Sequence, residues 1–160
     1  AISCINKILK KYPNVHAYDE SWDGKKLELE ALIKARDSNS SQPVYEHIKY
    51  LREKYKDVLP PNNCLAGICD IVASGIIRLY DHIGDFDGGV AFMDEFVNYY
   101  AKRWRIAPES IGGKNQYFQI KQAFLQSKAD GFKGCLTAKP GEVCMGRATK
   151  AIIESKYFSW

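Results

Sequence analysis

Several things are scarce or missing in this 160-residue chain, and each absence removes a class of function. It has no CxxC pair and no HxxxH spacing, and its three histidines, His16, His47 and His82, are scattered. A zinc centre built on the usual ligand spacings is therefore not expected. It has no run of 18 apolar residues, so no segment is expected to span a membrane as a helix. It has no dense Lys/Arg cluster: the net charge of +4 divides into +2 over residues 1–59, −2 over 60–107 and +4 over 108–160. Without a clustered basic stripe, nucleic acid is not an expected partner. Internal repeats and low-complexity stretches are absent as well, which leaves one ordinary globular domain, with sub-division conceivable at Pro60–Asn63 or near Pro108–Gly113.

What is present begins with five cysteines, Cys4, Cys64, Cys69, Cys135 and Cys144. Cysteines at this density without metal spacing read as a disulfide framework of an extracytoplasmic protein. Two bridges among five cysteines allow fifteen pairings. Cys135 and Cys144 flank a Pro-Gly turn and suit a local loop. Cys64 and Cys69 suit a bridge only if Cys64 precedes the helix that follows. The pairing expected here is Cys4 with Cys64 or Cys69, tying the first helix to the central one. The chain opens Ala1-Ile2-Ser3-Cys4, which predicts a mature form from which a leader has been removed. Asn39-Ser40-Ser41 is a glycosylation sequon in a polar linker and agrees with export.

Apolar periodicity predicts helix almost throughout. Ile2, Ile5, Ile8, Leu9 and Tyr12 form one stripe, stopped by Pro13. A second helix follows Ser21 with Leu27, Ala31 and Leu32 inward, and a third opens at Pro43 with Val44, Ile48, Leu51, Tyr55 and Leu59 on one face. Residues Cys64 to Ile83 are apolar nearly all round, as in a helix at the centre of its domain. Gly67 and Gly75 inside it would each cost about 1 kcal/mol relative to alanine, which predicts close packing there in compensation. After the Gly84–Gly89 loop, Val90, Met93, Phe96, Val97, Tyr100 and Trp104 make a further inward stripe. A helix from about Lys114 to Lys128 turns Tyr117, Ile120, Phe124 and Leu125 inward, and a last one covers about Val143 to Lys156. The expected fold is an all-α, compact, disulfide-stabilised bundle of six to seven helices over residues 1–160.

Three groups of residues carry candidate chemistry. Asp85, Asp87 and Asp94 fall at positions 3, 5 and 12 of an EF-hand register with Gly88 at position 6, but position 1 is Ile83, which has no side-chain oxygen. The competing reading is a helix–loop–helix turn, with Gly84 ending one helix and Asp87 capping the next, so no metal or other cofactor is expected. Cys64 with Asp81 and His82 has the composition of a nucleophilic site, yet 18 residues of helix separate Cys64 from His82 by roughly 27 Å. A cysteine- or carboxylate-dependent hydrolase, the latter on Asp94/Glu95, is thus the alternative to a protein without catalytic residues. Last, Tyr99, Arg103 and Arg105 lie off the inward stripe, and the chain ends Tyr157-Phe158-Ser159-Trp160. Arg beside Tyr and Trp is the composition of binding hot spots, so Tyr99, Arg103, Arg105 and Trp160 are the interaction candidates.

Together these features predict a secreted, non-enzymatic binding protein in the style of host-directed effectors or immune-modulating factors of salivary or pathogen origin. Its expected partner is an extracellular or cell-surface protein, or a small apolar ligand held in the bundle. A periplasmic immunity or inhibitor protein is a further alternative.

Overall fold

The computed structural model describes residues 2–11, 22–65, 67–139 and 141–155. Among these it contains seven α-helices and no strand: α1 (Ile2–Lys11), α2 (Trp22–Ser38), α3 (Gln42–Lys54), α4 (Ile68–Ile83), α5 (Phe86–Trp104), α6 (Gln116–Ala129) and α7 (Arg147–Glu154). The expected bundle of six to seven helices is the fold observed. Tyr12, Pro13, His16, Ser21 and the Tyr157–Trp160 end, with the candidate Trp160, lie outside the described residues.

α4 occupies the centre, as its all-round apolarity requires. It touches α3, α5 and α7, and Val72, Ala73, Ile76, Ile77 and Leu79 are all buried. α5 and α6 lie side by side because Gly89 has no side chain: a Cβ there would sit 2.6 Å from carbons of the Phe124 ring. α2 packs on α1 and α3, and α7 bridges α4 and α6.

Three helix positions differ from the sequence expectation. The central helix starts at Ile68 rather than Cys64, since Gly67 adopts a φ of +87°, and Leu65 stands exposed ahead of it. The last helix begins at Arg147, not Val143, because the bridge to Cys144 holds residues 143–144 in a loop. Leu27 and Leu125, expected inward, are exposed. In α6 the buried set is Tyr117, Ile120, Phe124 and Ser127, a 3–4 spacing that leaves Leu125 one residue off the core line.

Gly75 is a fourth difference. It is buried in mid-helix, but a Cβ at this position would meet nothing within 4 Å, so the close packing expected of it is found instead at Gly89. Gly75→Ala is accordingly expected to stabilise the protein by about 1 kcal/mol, the helix-propensity difference alone, measurable as a higher urea midpoint at unchanged slope.

The disulfides are Cys64–Cys69 and Cys135–Cys144, and Cys4 is a free, exposed thiol. The expected bridge from Cys4 to the central helix is therefore wrong. Cys64 precedes α4, which allows it to reach back across one turn to Cys69 with a Cα–Cα distance of 5.2 Å, inside the range a disulfide needs. The nearby partner leaves nothing in α4 for Cys4 to join.

Candidate functional site

The calcium-type loop resolves into structural roles. Asp85 is the N-cap of α5, its Oδ1 accepting from the Gly88 N–H at 2.9 Å, and its Oδ2 accepts from the Tyr45 hydroxyl at 2.7 Å. Asp87, the residue expected to cap, instead meets the Lys128 ammonium at 2.7 Å. Asp94 pairs with Lys121 at 2.6 Å and its neighbour Glu95 with Arg52 at 2.5 Å. The three carboxylates thus serve three separate partners, and no group of three or more potential metal ligands occurs among the described residues. The Tyr45 hydroxyl is held well above its ordinary pKa, by burial first and then by the Asp85 carboxylate it donates to.

The nucleophile reading loses its thiol, since Cys64 is bonded to Cys69. Asp81 and His82 are far along α4 from it. Asp81 is wholly buried and caps α7 from outside that helix: its Oδ2 accepts from the Thr149 N–H at 3.0 Å and the Thr149 hydroxyl at 2.6 Å. The sequence carried no signal for this, because cap and capped helix are 68 residues apart.

The interaction candidates come together at the far end of α5. An aromatic series runs outward from the core: Phe96 stacks on Tyr117 (4.2 Å between centroids), Tyr117 on Tyr100 (5.7 Å), and Tyr100 packs against Trp104 (5.5 Å). Tyr117 is buried and donates to Asp70 at the start of α4; burial, then that carboxylate, raise its pKa far above the ordinary range. Tyr100 is half-buried and its hydroxyl lies 3.4 Å from the Cys64 sulfur, while Tyr99 donates to Asn63 at 3.3 Å. The Cys64–Cys69 bridge thereby anchors the loop on which both tyrosines rest. Trp104, expected to point inward, is 50% exposed, because α5 runs past the edge of the core after Ala101. Leu65 is also half exposed, next to Cys64 in the chain, and Lys102, Arg103, Arg105 and Ile106, the chain neighbours of Trp104, are exposed. Arg105 has a φ of +56°.

That φ matters because four helix ends share one closure. After α2, α4, α5 and α6 a backbone N–H reaches back five residues: Ser40 to Ala35, Asp85 to Tyr80, Ile106 to Ala101 and Phe132 to Ser127, at 3.0–3.1 Å. This closure needs one left-handed residue, which glycine adopts freely and asparagine tolerates. The chain supplies Asn39, Gly84 and Gly131 at three of the ends and an arginine at the fourth.

No protein-family model matches this chain, and no curated protein or solved structure is similar to it at a meaningful level.

Proposed function

We propose that this protein is a secreted, non-enzymatic binding protein that engages an acidic surface of an extracellular or cell-surface protein through the end of α5. The observation carrying this reading is the Trp104–Arg105 corner. A half-exposed indole rests on a tyrosine series rooted in the core, and beside it arginine occupies a backbone position that favours glycine. A left-handed non-glycine residue costs about 1–2 kcal/mol, so the side chain at 105 is held there against local stability. Rigid Tyr and Trp with Arg are the groups that dominate protein interfaces, and Lys102, Arg103 and Arg105 form no ion pair among the described residues, which leaves a cationic rim for an acidic partner.

Export is part of the same reading. Two disulfides fit an oxidising compartment, no helix among the described residues is long and apolar enough to cross a membrane, and the sequon residue Asn39 is exposed at the end of α2. The carboxylates and cysteines that suggested a hydrolase are engaged in caps, ion pairs and bridges, which favours binding over catalysis.

The test is binding of labelled protein to intact cells and to immobilised extracellular proteins. Trp104→Ala is expected to weaken saturable binding by about 30-fold or more, the scale of a hot-spot truncation, and added salt should weaken the wild type. Arg105→Gly is expected to weaken binding while raising the melting temperature, because it relieves the left-handed strain. Undiminished binding by Trp104→Ala, or a destabilised Arg105→Gly, would count against the reading.

A further inference from the structure

α2, the end of α4 and the loop between α6 and α7 enclose a cleft that shares no residue with the Trp104 corner. It has two lobes of about 260 and 180 Å³, and Leu32, His82, Cys135 and Cys144 line both. The loop side is fixed closely to the helix behind it. The Cys135 N–H donates to the His82 carbonyl at 2.6 Å, and Gly134 lies so near that a Cβ there would fall 2.5 Å from the Gly84 nitrogen. The Cys135–Cys144 bridge closes this wall, and Asp81 holds the start of α7 beyond it. Leu29 and Ile33 of α2 and Leu136 of the loop line the larger lobe.

Four of the charged side chains around the rim, those of Glu28, Arg36, Arg78 and Glu142, already have partners. Glu28 faces Arg78 at 3.9 Å, Arg36 binds Asp37 at 2.9 Å, and Glu142 accepts from the Lys139 N–H at 3.0 Å. The His82 imidazole is different: its backbone carbonyl is bonded, but the ring has no hydrogen-bond partner among the described residues. Burial lowers its pKa, against the nearby Asp81 and Glu28 carboxylates, so at neutral pH the ring offers one N–H donor and one bare nitrogen acceptor.

We propose that this cleft binds a small uncharged molecule of one or two rings that bears a single hydroxyl or ring N–H, a ligand of the phenol or indole class. The lobes sit at or below the lower end of ligand-pocket volumes, about 300 Å³, which limits the occupant to such a size. Apolar walls of Leu29, Leu32, Ile33 and Leu136 disfavour an ion that would shed its water there. The neutral imidazole supplies the one hydrogen bond that orients the ligand.

The probe is 2-naphthol, compared with naphthalene, which lacks the hydroxyl. Calorimetric or fluorescence titration of the wild type is expected to show one saturable site with a Kd below about 1 mM. Naphthol should bind about tenfold more tightly than naphthalene, and His82→Leu should remove that difference while keeping the apolar contact. Leu32→Trp, or Leu136→Trp from the loop side, should fill the cleft and weaken binding at least tenfold. If neither tryptophan variant folds, amide NMR shifts of the wild type decide: changes centred on His82 and Cys135 support the site, and changes elsewhere overturn it. Absence of a saturable site, or unchanged affinity in a folded Leu32→Trp protein, overturns the proposal, and a naphthol preference that survives in His82→Leu overturns the role of the imidazole.

Discussion

Phe124→Ala is expected to lower folding stability by about 3–5 kcal/mol, the usual cost of emptying a fully buried aromatic site. The ring is wholly buried, packs near Phe86 at 6.4 Å between centroids, and rests directly on the Gly89 backbone. α5 and α6 share this contact, so little else can move in to fill the space. Gly89→Ala is expected to destabilise the wild type by about 1–3 kcal/mol through overpacking, because the new methyl would overlap the ring. In the Phe124→Ala background the same methyl enters the vacated volume, and its cost should fall to near zero. Urea unfolding of the four proteins therefore measures a coupling of at least about 1 kcal/mol. Strict additivity would mean that the two helices do not meet at this pair.

The contact also shows where sequence reading succeeds. Phe124 lies on an apolar line with Tyr117 and Ile120, and α4 reads as central because nearly every position is apolar. Helical periodicity is local, so it survives without knowledge of neighbours. The failures share one cause, which is that they depend on residues remote in sequence. Gly89 looked like a loop residue and is the closest approach between two helices. Cys4 had no way to declare that Cys64 would be satisfied five residues later. Trp104 continues the α5 stripe, but only the length of the core decides that the helix has already passed beyond it.

The candidate site was legible in its parts and not in its assembly. Tyr99, Arg103 and Arg105 lie off the stripe in sequence, and in the structure Tyr99 meets Tyr100 edge-on while Tyr100 packs against Trp104. The joining element is the Asn63–Leu65 loop, held by the Cys64–Cys69 bridge and contacted by both tyrosines. The left-handed backbone at Arg105 has no sequence signature, since the residue found there is the opposite of the residue the geometry prefers. His82 lies in the last turn of α4, at the negative end of that helix. Its place on the cleft comes from the loop after α6, whose Cys135 N–H donates to the His82 carbonyl.

Asp81 presents the second large effect. Asp81→Ala is expected to cost about 3 kcal/mol, because the Thr149 N–H and hydroxyl would lose their shared acceptor while remaining partly buried, and a helix cap is worth about 1–2 kcal/mol by itself. α7 would be the first element to loosen, seen as faster amide exchange from Ala148 to Lys150. Asp81→Asn keeps an oxygen that accepts from Thr149 and should cost much less. The two substitutions separate further with pH. Burial raises the Asp81 pKa above the ordinary 3.8, a shift that the Thr149 hydrogen bonds oppose but do not cancel. The folded protein therefore holds this proton more tightly than the unfolded chain does, so the group's contribution is fully present below about pH 3.8 and is lost as pH rises through the folded value. His82 acts in the opposite sense: its pKa is lowered by burial below 6.5, so its contribution is fully present above 6.5 and is lost as pH falls through the folded value. Removing the aspartate's titration with Asp81→Asn should make the variant gain on the wild type steadily as pH rises from 4, and His82→Gln should leave that trend in place. A gap between wild type and Asp81→Asn that stays constant with pH would show that the carboxylate is solvated rather than sealed beneath α7.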